Sequence, residues 1–374
     1  MRTKKEVRLG SCAAWEQPLS RRAMLSGMLG IAGALRGDTL MPGTAAAHEY
    51  VSVRNNSLWL DGQKFTIHGG TTYGQLDDQA NLISLAHKAK INTLELVEFE
   101  REWRRLSSLT SESTWERCDE LIARARSANL KVILNFSGYG HALAASGRKP
   151  TTTDWGPYLG TVMKRVNTVT GVQYCDDPTI IKLQIYGEIA APNYSDAMRG
   201  TTAETTEFFR RTLRQLRTLD SRHIISTGGF SFINDPSSGI DWKTIMSDPL
   251  NQVCDAEINS FPDRNVSLPQ VAAHASAIGK PWYLSAFSSG QGESRFPGDA
   301  NYYPTDDLMA AHMEDCYRLC RAEGARPPAP QQQSIGATFW NLGDTPAAFG
   351  SCDIGPQYPL SFHTVRRWSP QSSA

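Results

Sequence analysis

After residue 60 the chain alternates between short, continuously apolar runs and longer segments whose apolar residues recur every three or four positions. A short apolar run between turn residues is typical of a buried strand, and the longer period is typical of an amphipathic helix. The predicted strands are "INTLELVEF", "KVILNFSG", "IIKLQIYGE", "HIISTGGF", "VCDAEINSF", "PWYLSAFS" and "SIGATFWNL". Segments such as "STWERCDELIARARSAN" and "ETTEFFRRTLRQLRTLD" are the predicted helices between them.

A hairpin is predicted before these strands, in "SLWLDGQKFTIHGGTTYG". Asp61 and Gly62 form its turn, and its second arm, from Phe65 to Tyr73, is predicted to be the first strand of a barrel. A last helix is predicted in "FHTVRRWSP". Strands and helices in strict alternation, eight of each, predict an α/β protein folded as a single-domain (β/α)8 TIM barrel.

The first 47 residues have a different character. A basic start, the arginine pair Arg21 and Arg22, a Gly/Ala-rich apolar run and the small residues of "GTAAAHEY" follow one another. This order predicts an export signal of the twin-arginine type over residues 1–47, and a barrel domain over residues 48–374. We therefore expect a secreted or periplasmic protein.

Charge and cysteine content narrow the possible partners and ligands. Lys and Arg total 38, as do Asp and Glu, so nothing indicates nucleic acid or an anionic membrane as partner. We expect a monomer. Export would permit disulfides among the six cysteines after residue 47, but spacing does not choose a pairing. Cys316 and Cys320 lie one helical turn apart, yet no nearby His or second Cys pair completes a zinc spacing, so no metal is predicted.

Polar residues at the ends of the predicted strands are the candidates for chemistry, because active sites of such barrels lie at the C-terminal ends of the strands. Glu188 ends the apolar run "IIKLQIYGE". An apolar surrounding can raise the pKa of a carboxyl group and suit it to proton donation, whereas a solvated strand end would not. The polar candidates at strand ends are Tyr73, Glu98, Asn135, Glu188, Asn259, Ser285 and Trp340.

Four segments resemble motifs of the glycoside hydrolase family five cellulases and mannanases. "DDPTIIKLQIYGEIAAP" resembles the fourth-strand motif, "SLWLDGQKFTIHGGTTY" the N-terminal hairpin, "GKPWYLSAFSSG" the seventh strand and "IGATFWNLGD" the eighth. The resemblance covers about residues 49–367. It implies a β-1,4-linked polysaccharide substrate, mannan or glucan, and no cofactor. It also implies that Glu188 is the general acid/base and that Trp340 is a platform beneath a sugar ring.

Several positions depart from the family pattern. Gly187 stands where the family has Asn, and Glu95 stands where it has an Arg that braces the catalytic carboxylate. Asn259 and Phe261 replace a His and a Tyr. Ala286 occupies the position of the nucleophile, and alanine cannot attack a sugar. A retaining glycosidase needs two carboxyl groups about 5–5.5 Å apart, so the usual retaining route is not expected.

Three hypotheses therefore remain open. In the first, another carboxylate completes an inverting site, in which the two carboxyl groups lie about 6.5–9.5 Å apart. The second is a barrel that binds a glycan without cleaving it. The third is a hydrolase using Ser285 or Ser288, although neither lies in a G-x-S-x-G turn. The candidate carboxylates are Glu95, Glu98, Glu257 and Glu293, and the candidate sugar-binding residues are Tyr73, Asn135, Tyr139, Trp155, Asn259, Phe261 and Trp340.

Overall fold

The structure of the protein is a computed structural model. It describes residues 50–72, 76–97, 111–186, 189, 198–230, 233, 238–258, 264–288, 305–322, 333–344 and 353–370. The predicted export signal lies outside these residues. Within them, no helix is long and apolar enough to cross a bilayer.

A small antiparallel sheet precedes a ring of parallel strands. The small sheet pairs β1 with β2 and β2 with β3. Its strands are β1 Ser52–Arg54, β2 Ser57–Leu60 and β3 Gln63–Phe65. The ring consists of β4 Ile67–Thr71, β5 Thr93–Val97, β6 Lys131–Asn135, β7 Ile180–Gln184, β8 Ile224–Ser226, β9 Cys254–Ile258, β10 Trp282–Ser288 and β11 Gly336–Trp340.

The ring strands pair in the order β8-β7-β6-β5-β4-β11-β10-β9. Its two outermost strands meet through a parallel bridge between Phe230, which follows β8, and Ala256 in β9. The backbone N–H of Gln252 also donates to the carbonyl of Ile225 at 3.0 Å. Eight parallel strands with helices between them confirm the predicted (β/α)8 barrel.

Helices follow the ring strands and cover the outside of the barrel. They are α1 Gln79–Ala89, α2 Glu112–Ser127, α3 Ser137–Ala145, α4 Gly156–Met163, α5 Thr202–Leu219, α6 Trp242–Met246, α7 Arg264–Ala277, α8 Asp306–Arg321 and α9 Pro359–Arg367. The start of α5 shows why the sequence folds this way locally. Thr201 and Glu204 form a reciprocal capping box that satisfies backbone N–H groups at the helix start.

Several predicted strands are shorter in the structure, and two of them show the reason. The arm predicted from Phe65 to Tyr73 is divided, since β3 ends at Phe65 and the ring strand β4 begins at Ile67. The strand predicted in "KVILNFSG" ends at Asn135 and is followed by α3, which the sequence analysis did not predict. The Asn135 side-chain oxygen accepts the backbone N–H of Ser137 at 3.0 Å, a local contact that turns the chain at the end of the strand.

Apolar residues form two separate layers. One lies between the ring strands and the helices. The other fills the N-terminal end of the barrel interior, where Val51 and Leu58 of the small sheet close it. The barrel interior contributes Ile67, Ile133, Ile181, Ile224, Val253, Tyr283 and Ile335 to this apolar plug. The interior is therefore closed at the bottom, and only its upper part is available for a site.

Five cysteines lie within the described residues, namely Cys118, Cys175, Cys254, Cys316 and Cys320, and no disulfide joins any two of these five. The Cys316 sulfur lies 3.6 Å from Nε2 of His312. In the part of the chain that the structure describes, no group of three or more His, Cys, Asp or Glu residues is suited to hold a metal ion. Cys352 lies outside the described residues.

Candidate active site

A layer of polar side chains lies inside the barrel directly above the apolar plug. Lys182 of β7 and Asp255 of β9 are fully buried, and Glu95 of β5 is 2% exposed. The Lys182 ammonium donates to Asp255 Oδ2 at 2.9 Å and also to the side-chain oxygen of Gln184. Ser226 donates to the same Asp255 oxygen at 2.5 Å. We call Glu95, Lys182, Gln184, Ser226 and Asp255 the sealed layer.

Glu95 is held from one side only. Asn135 Nδ2 and Gln184 Nε2 donate to its Oε1 at 2.8 and 2.9 Å. Its Oε2 is buried and has no hydrogen-bond partner among the described residues. Burial raises the pKa of Glu95 to about 7, opposed by the Asn135 hydrogen bond and by the Lys182 charge. Burial therefore disfavours the charged form of Glu95.

A second group of inward-facing residues lies higher, at the mouth of the barrel. Ala256 and Ile258 of β9 pack outward against the helices, so Glu257 between them faces the interior. The same alternation on β11 places Phe339 outward and Trp340 inward. Asn135, Glu257, Ala286 and Trp340 are all half-buried, as expected of residues at an open end. These four residues are the mouth residues.

A bulge in β10 determines which residue lies beside Glu257. The register advances from Leu284 opposite Ala256 to Ala286 opposite Glu257, which leaves Ser285 as the extra residue. Directly paired residues point to the same face of a sheet, so Ala286 and Glu257 face the mouth side by side. Ala286 therefore places only a methyl group beside Glu257.

Gly229, in the loop after β8, lies against the other flank of Glu257. A Cβ atom built on Gly229 would lie 2.8 Å from the Glu257 Cβ, 2.8 Å from the Ala256 carbonyl carbon and 2.2 Å from the Ser285 Oγ. Only glycine allows this approach of the loop to β9. Two residues without large side chains thus flank the one mouth carboxylate that lies on the described strands.

Comparison with known proteins supports a specific family. The chain is 25% identical over 288 residues to mannan endo-1,4-beta-mannosidase 1 of Oryza sativa subsp. japonica. The aligned region covers 62% of this chain and 61% of that protein. It is 24% identical over 275 residues to mannan endo-1,4-beta-mannosidase 3 of Arabidopsis thaliana, and this aligned region covers 59% of this chain and 63% of that protein. The chain thus spans about three fifths of the length of these curated relatives. No family model matches it.

Solved structures agree with these relatives. The endo-1,4-beta-mannanase of Rhizomucor miehei superposes with a TM-score of 0.64 at 18% identity, covering 86% of this chain and 99% of that one. At such low identity the superposition establishes the barrel fold, and the curated relatives carry the family likeness. The resemblance to the family five cellulases and mannanases is confirmed.

The structure locates only part of the family-derived site. Asn135, Glu257, Ala286 and Trp340 lie half-buried toward the C-terminal ends of their strands, whereas Glu95 is buried in the sealed layer. Tyr139 is half-buried on α3, and its ring stacks on Tyr158 with centroids 4.0 Å apart. The predicted site residues outside the described residues are Tyr73, Glu98, Gly187, Glu188, Asn259, Phe261 and Glu293.

The structure corrects the predicted role of Trp155. This residue was predicted to bind sugar, but it is fully buried, and its ring packs against Phe208 with centroids 5.0 Å apart. Its Nε1 donates to the Pro150 carbonyl at 3.1 Å. An aromatic ring can serve as a sugar platform only if one face is exposed, so Trp155 is a core residue.

The serine hypothesis also loses support. Ser285 is 2% exposed, and its hydroxyl donates to the Ala256 carbonyl at 3.0 Å, which is a structural contact within the bulge. The side chain of Ser288 lies outside the described residues.

Lys182 and Asp255 were not among the predicted site residues. Each is a charged residue in the middle of an apolar strand, in "IIKLQ" and "VCDAE". A lysine and an aspartate that are both assigned to strand interiors must find partners when buried, and this was the available signal.

Proposed function

We propose that this protein is a glycoside hydrolase that cleaves a β-1,4-linked mannan or related glucan with inversion, using Glu188 as general acid and Glu257 as general base. The curated relatives that the chain resembles are mannan endo-1,4-beta-mannosidases. The position of Glu257, inward-facing at the mouth beside Ala286, is the observation that carries the mechanism.

Glu257 is better suited to this role than Glu95. Glu95 is nearly inaccessible, and one of its oxygens is occupied by two amide donors. Glu257 is half-buried and belongs to the strand end where barrel enzymes place their chemistry. A polymeric substrate reaches the mouth but not a layer sealed beneath it.

The proposed reaction follows the inverting scheme. Glu257 takes a proton from a water molecule while the water oxygen bonds to the anomeric carbon. The bond from that carbon to the glycosidic oxygen breaks, and Glu188 supplies the proton that the departing oxygen needs. Trp340 offers an aromatic face to the apolar C–H surface of a sugar ring.

Turnover of manno-oligosaccharides by three variants tests the proposal. Glu188→Gln and Glu257→Gln should each lower turnover by about 10²–10⁴-fold, because each removes one partner of general acid–base catalysis. Glu207→Gln, on the exposed side of α5, is the matched control and should behave as the unaltered protein. Full activity of Glu257→Gln would refute the assignment of the base. Glycan binding without hydrolysis by the unaltered protein would support the non-catalytic barrel instead.

A further inference from the structure

The sealed layer contains more negative than positive charge. Glu95 and Asp255 are two buried carboxyl groups, and Lys182 is the one buried ammonium that contacts either of them among the described residues. Asp255 has the direct ion pair and also accepts from Ser226. Among the described residues, only the neutral amides of Asn135 and Gln184 donate to Glu95. An unpaired buried carboxylate is costly, so Glu95 is the member of this layer that gains most from holding a proton.

The hydrogen bonds of the layer have a fixed direction. Lysine only donates, so the Gln184 oxygen faces Lys182 and its Nε2 faces Glu95. The Asn135 oxygen accepts the Ser137 backbone N–H, so its Nδ2 faces Glu95 as well. Both amides therefore donate to Oε1, and Oε2 is the oxygen left to carry a proton.

We propose that Glu95 gains and loses a proton at Oε2 and so switches the charge beneath the mouth, and that Lys182 and Asp255 are positioning residues that set the pH of this switch in opposite directions. Lys182 acts by its positive charge and by orienting Gln184. Asp255 acts by its negative charge and by holding Lys182 in place.

The surroundings of Glu95 agree with this assignment. The pKa of Glu95, about 7, is raised first by burial, is lowered by Asn135 and Lys182, and is raised by Asp255. Tyr283 of β10 also faces Glu95, and burial holds its pKa well above the ordinary value, so it stays neutral. The layer receives only neutral polar groups from β6, β8 and β11, namely Asn135, Ser226 and Thr338. On β4, His68 bonds the Val365 carbonyl on the outer side instead.

Asn135 connects the switch with the mouth. It is half-buried at the end of β6 and donates to Glu95 below it. Glycoside cleavage develops positive charge on the sugar ring, and an anion fixed beneath the mouth stabilises that charge more than it stabilises a neutral substrate. This consequence rests on the proposed function. It predicts that ionisation of Glu95 raises kcat and leaves KM nearly unchanged.

The switch itself can be observed without turnover. Carbon-13 NMR of the side-chain carboxyl groups, with Glu95→Gln to assign the signal, should show Glu95 titrating near neutral pH. Asp255→Asn should lower its midpoint by about one pH unit, since Lys182 then acts on Glu95 alone. The double variant Lys182→Met/Asp255→Asn should have a midpoint above that of Asp255→Asn, which isolates the effect of Lys182. Equal midpoints in these proteins, or a midpoint near that of an ordinary glutamate, would overturn the proposal.

Measurement of kcat against pH separates this proposal from the proposed function. If the protein hydrolyses mannan, the rise of kcat with pH should follow the NMR midpoint across the variants, and a rise that ignores the midpoint would refute the link to catalysis. If it does not hydrolyse any β-glycan, the proposed function fails. The NMR midpoints then still support or refute the charge switch.

Discussion

The sealed layer and the mouth are two polar regions on the same barrel axis, and they are built in opposite ways. In the sealed layer, Lys182 and Asp255 are fully buried and are bonded to each other inside strand interiors. At the mouth, Glu257 is half-buried and lies between Gly229 and Ala286, which have little or no side chain. The first arrangement holds the Lys182–Asp255 ion pair away from any ligand, and the second places a half-buried carboxyl group at the open end of the barrel. The difference indicates where stability and where chemistry should be lost on mutation.

The largest effect is expected from breaking the ion pair. Lys182→Met leaves Asp255 as an uncompensated buried charge and should lower the free energy of unfolding by about 3–5 kcal/mol. Lys182→Met/Asp255→Leu removes both charges and should recover most of that loss. Urea unfolding measures both variants. A double variant no more stable than Lys182→Met would contradict the ion-pair account.

The second effect concerns pH. Burial raises the pKa of Glu95 from 4.5 to about 7, so between these values the folded state holds a proton that the unfolded state lacks. The stabilisation from this proton is fully present below pH 4.5 and is lost as the pH rises through about 7. Relative to Glu95→Gln, the unaltered protein should lose about 3 kcal/mol of unfolding free energy between pH 4.5 and pH 8. Parallel stability curves for the two proteins would show that Glu95 titrates normally.

The barrel could be predicted from the sequence because the spacing of apolar residues distinguishes strands from helices, and the two alternate along the chain. The sequence predicted Glu257 and Trp340 as candidates for the same reason, since strand ends can be located by pattern. It did not predict that Trp155 is buried, because an aromatic residue just before a helix, as Trp155 is before α4, has the same local pattern whether it faces the core or the mouth. The bulge at Ser285, which places Ala286 beside Glu257, depends on pairing between distant segments and leaves no local signal.

A smaller effect is expected at the flank of Glu257. Gly229→Ala would place a Cβ 2.8 Å from both the Ala256 backbone and the Glu257 Cβ, so the loop or β9 must shift. Overpacking of this kind costs about 1–3 kcal/mol of stability. We expect turnover to fall more than stability does, because the shift moves the proposed base. Gly160→Ala, where a Cβ would meet nothing within 4 Å, is the control. Equal losses in the two variants would argue against a special role for this flank.

The smallest effect is expected from the aromatic face. Trp340→Ala removes a proposed platform and should weaken manno-oligosaccharide binding by about 1 kcal/mol. Trp155→Phe, in the core, should leave binding unchanged and lower stability instead. Calorimetric titration with one oligosaccharide compares the two. Weaker binding by Trp155→Phe at unchanged stability would reverse the correction made for that residue.

The stereochemistry of the first product tests the central claim most directly. If Glu257 on β9 is the base and position 286 holds alanine, water attacks the anomeric carbon in a single step. The anomeric configuration is then inverted. Proton NMR of the newly formed reducing end, recorded before mutarotation, distinguishes the two anomers. We predict the α-anomer from a β-linked substrate with the unaltered protein. The β-anomer would show retention and would contradict the attack of water activated by Glu257.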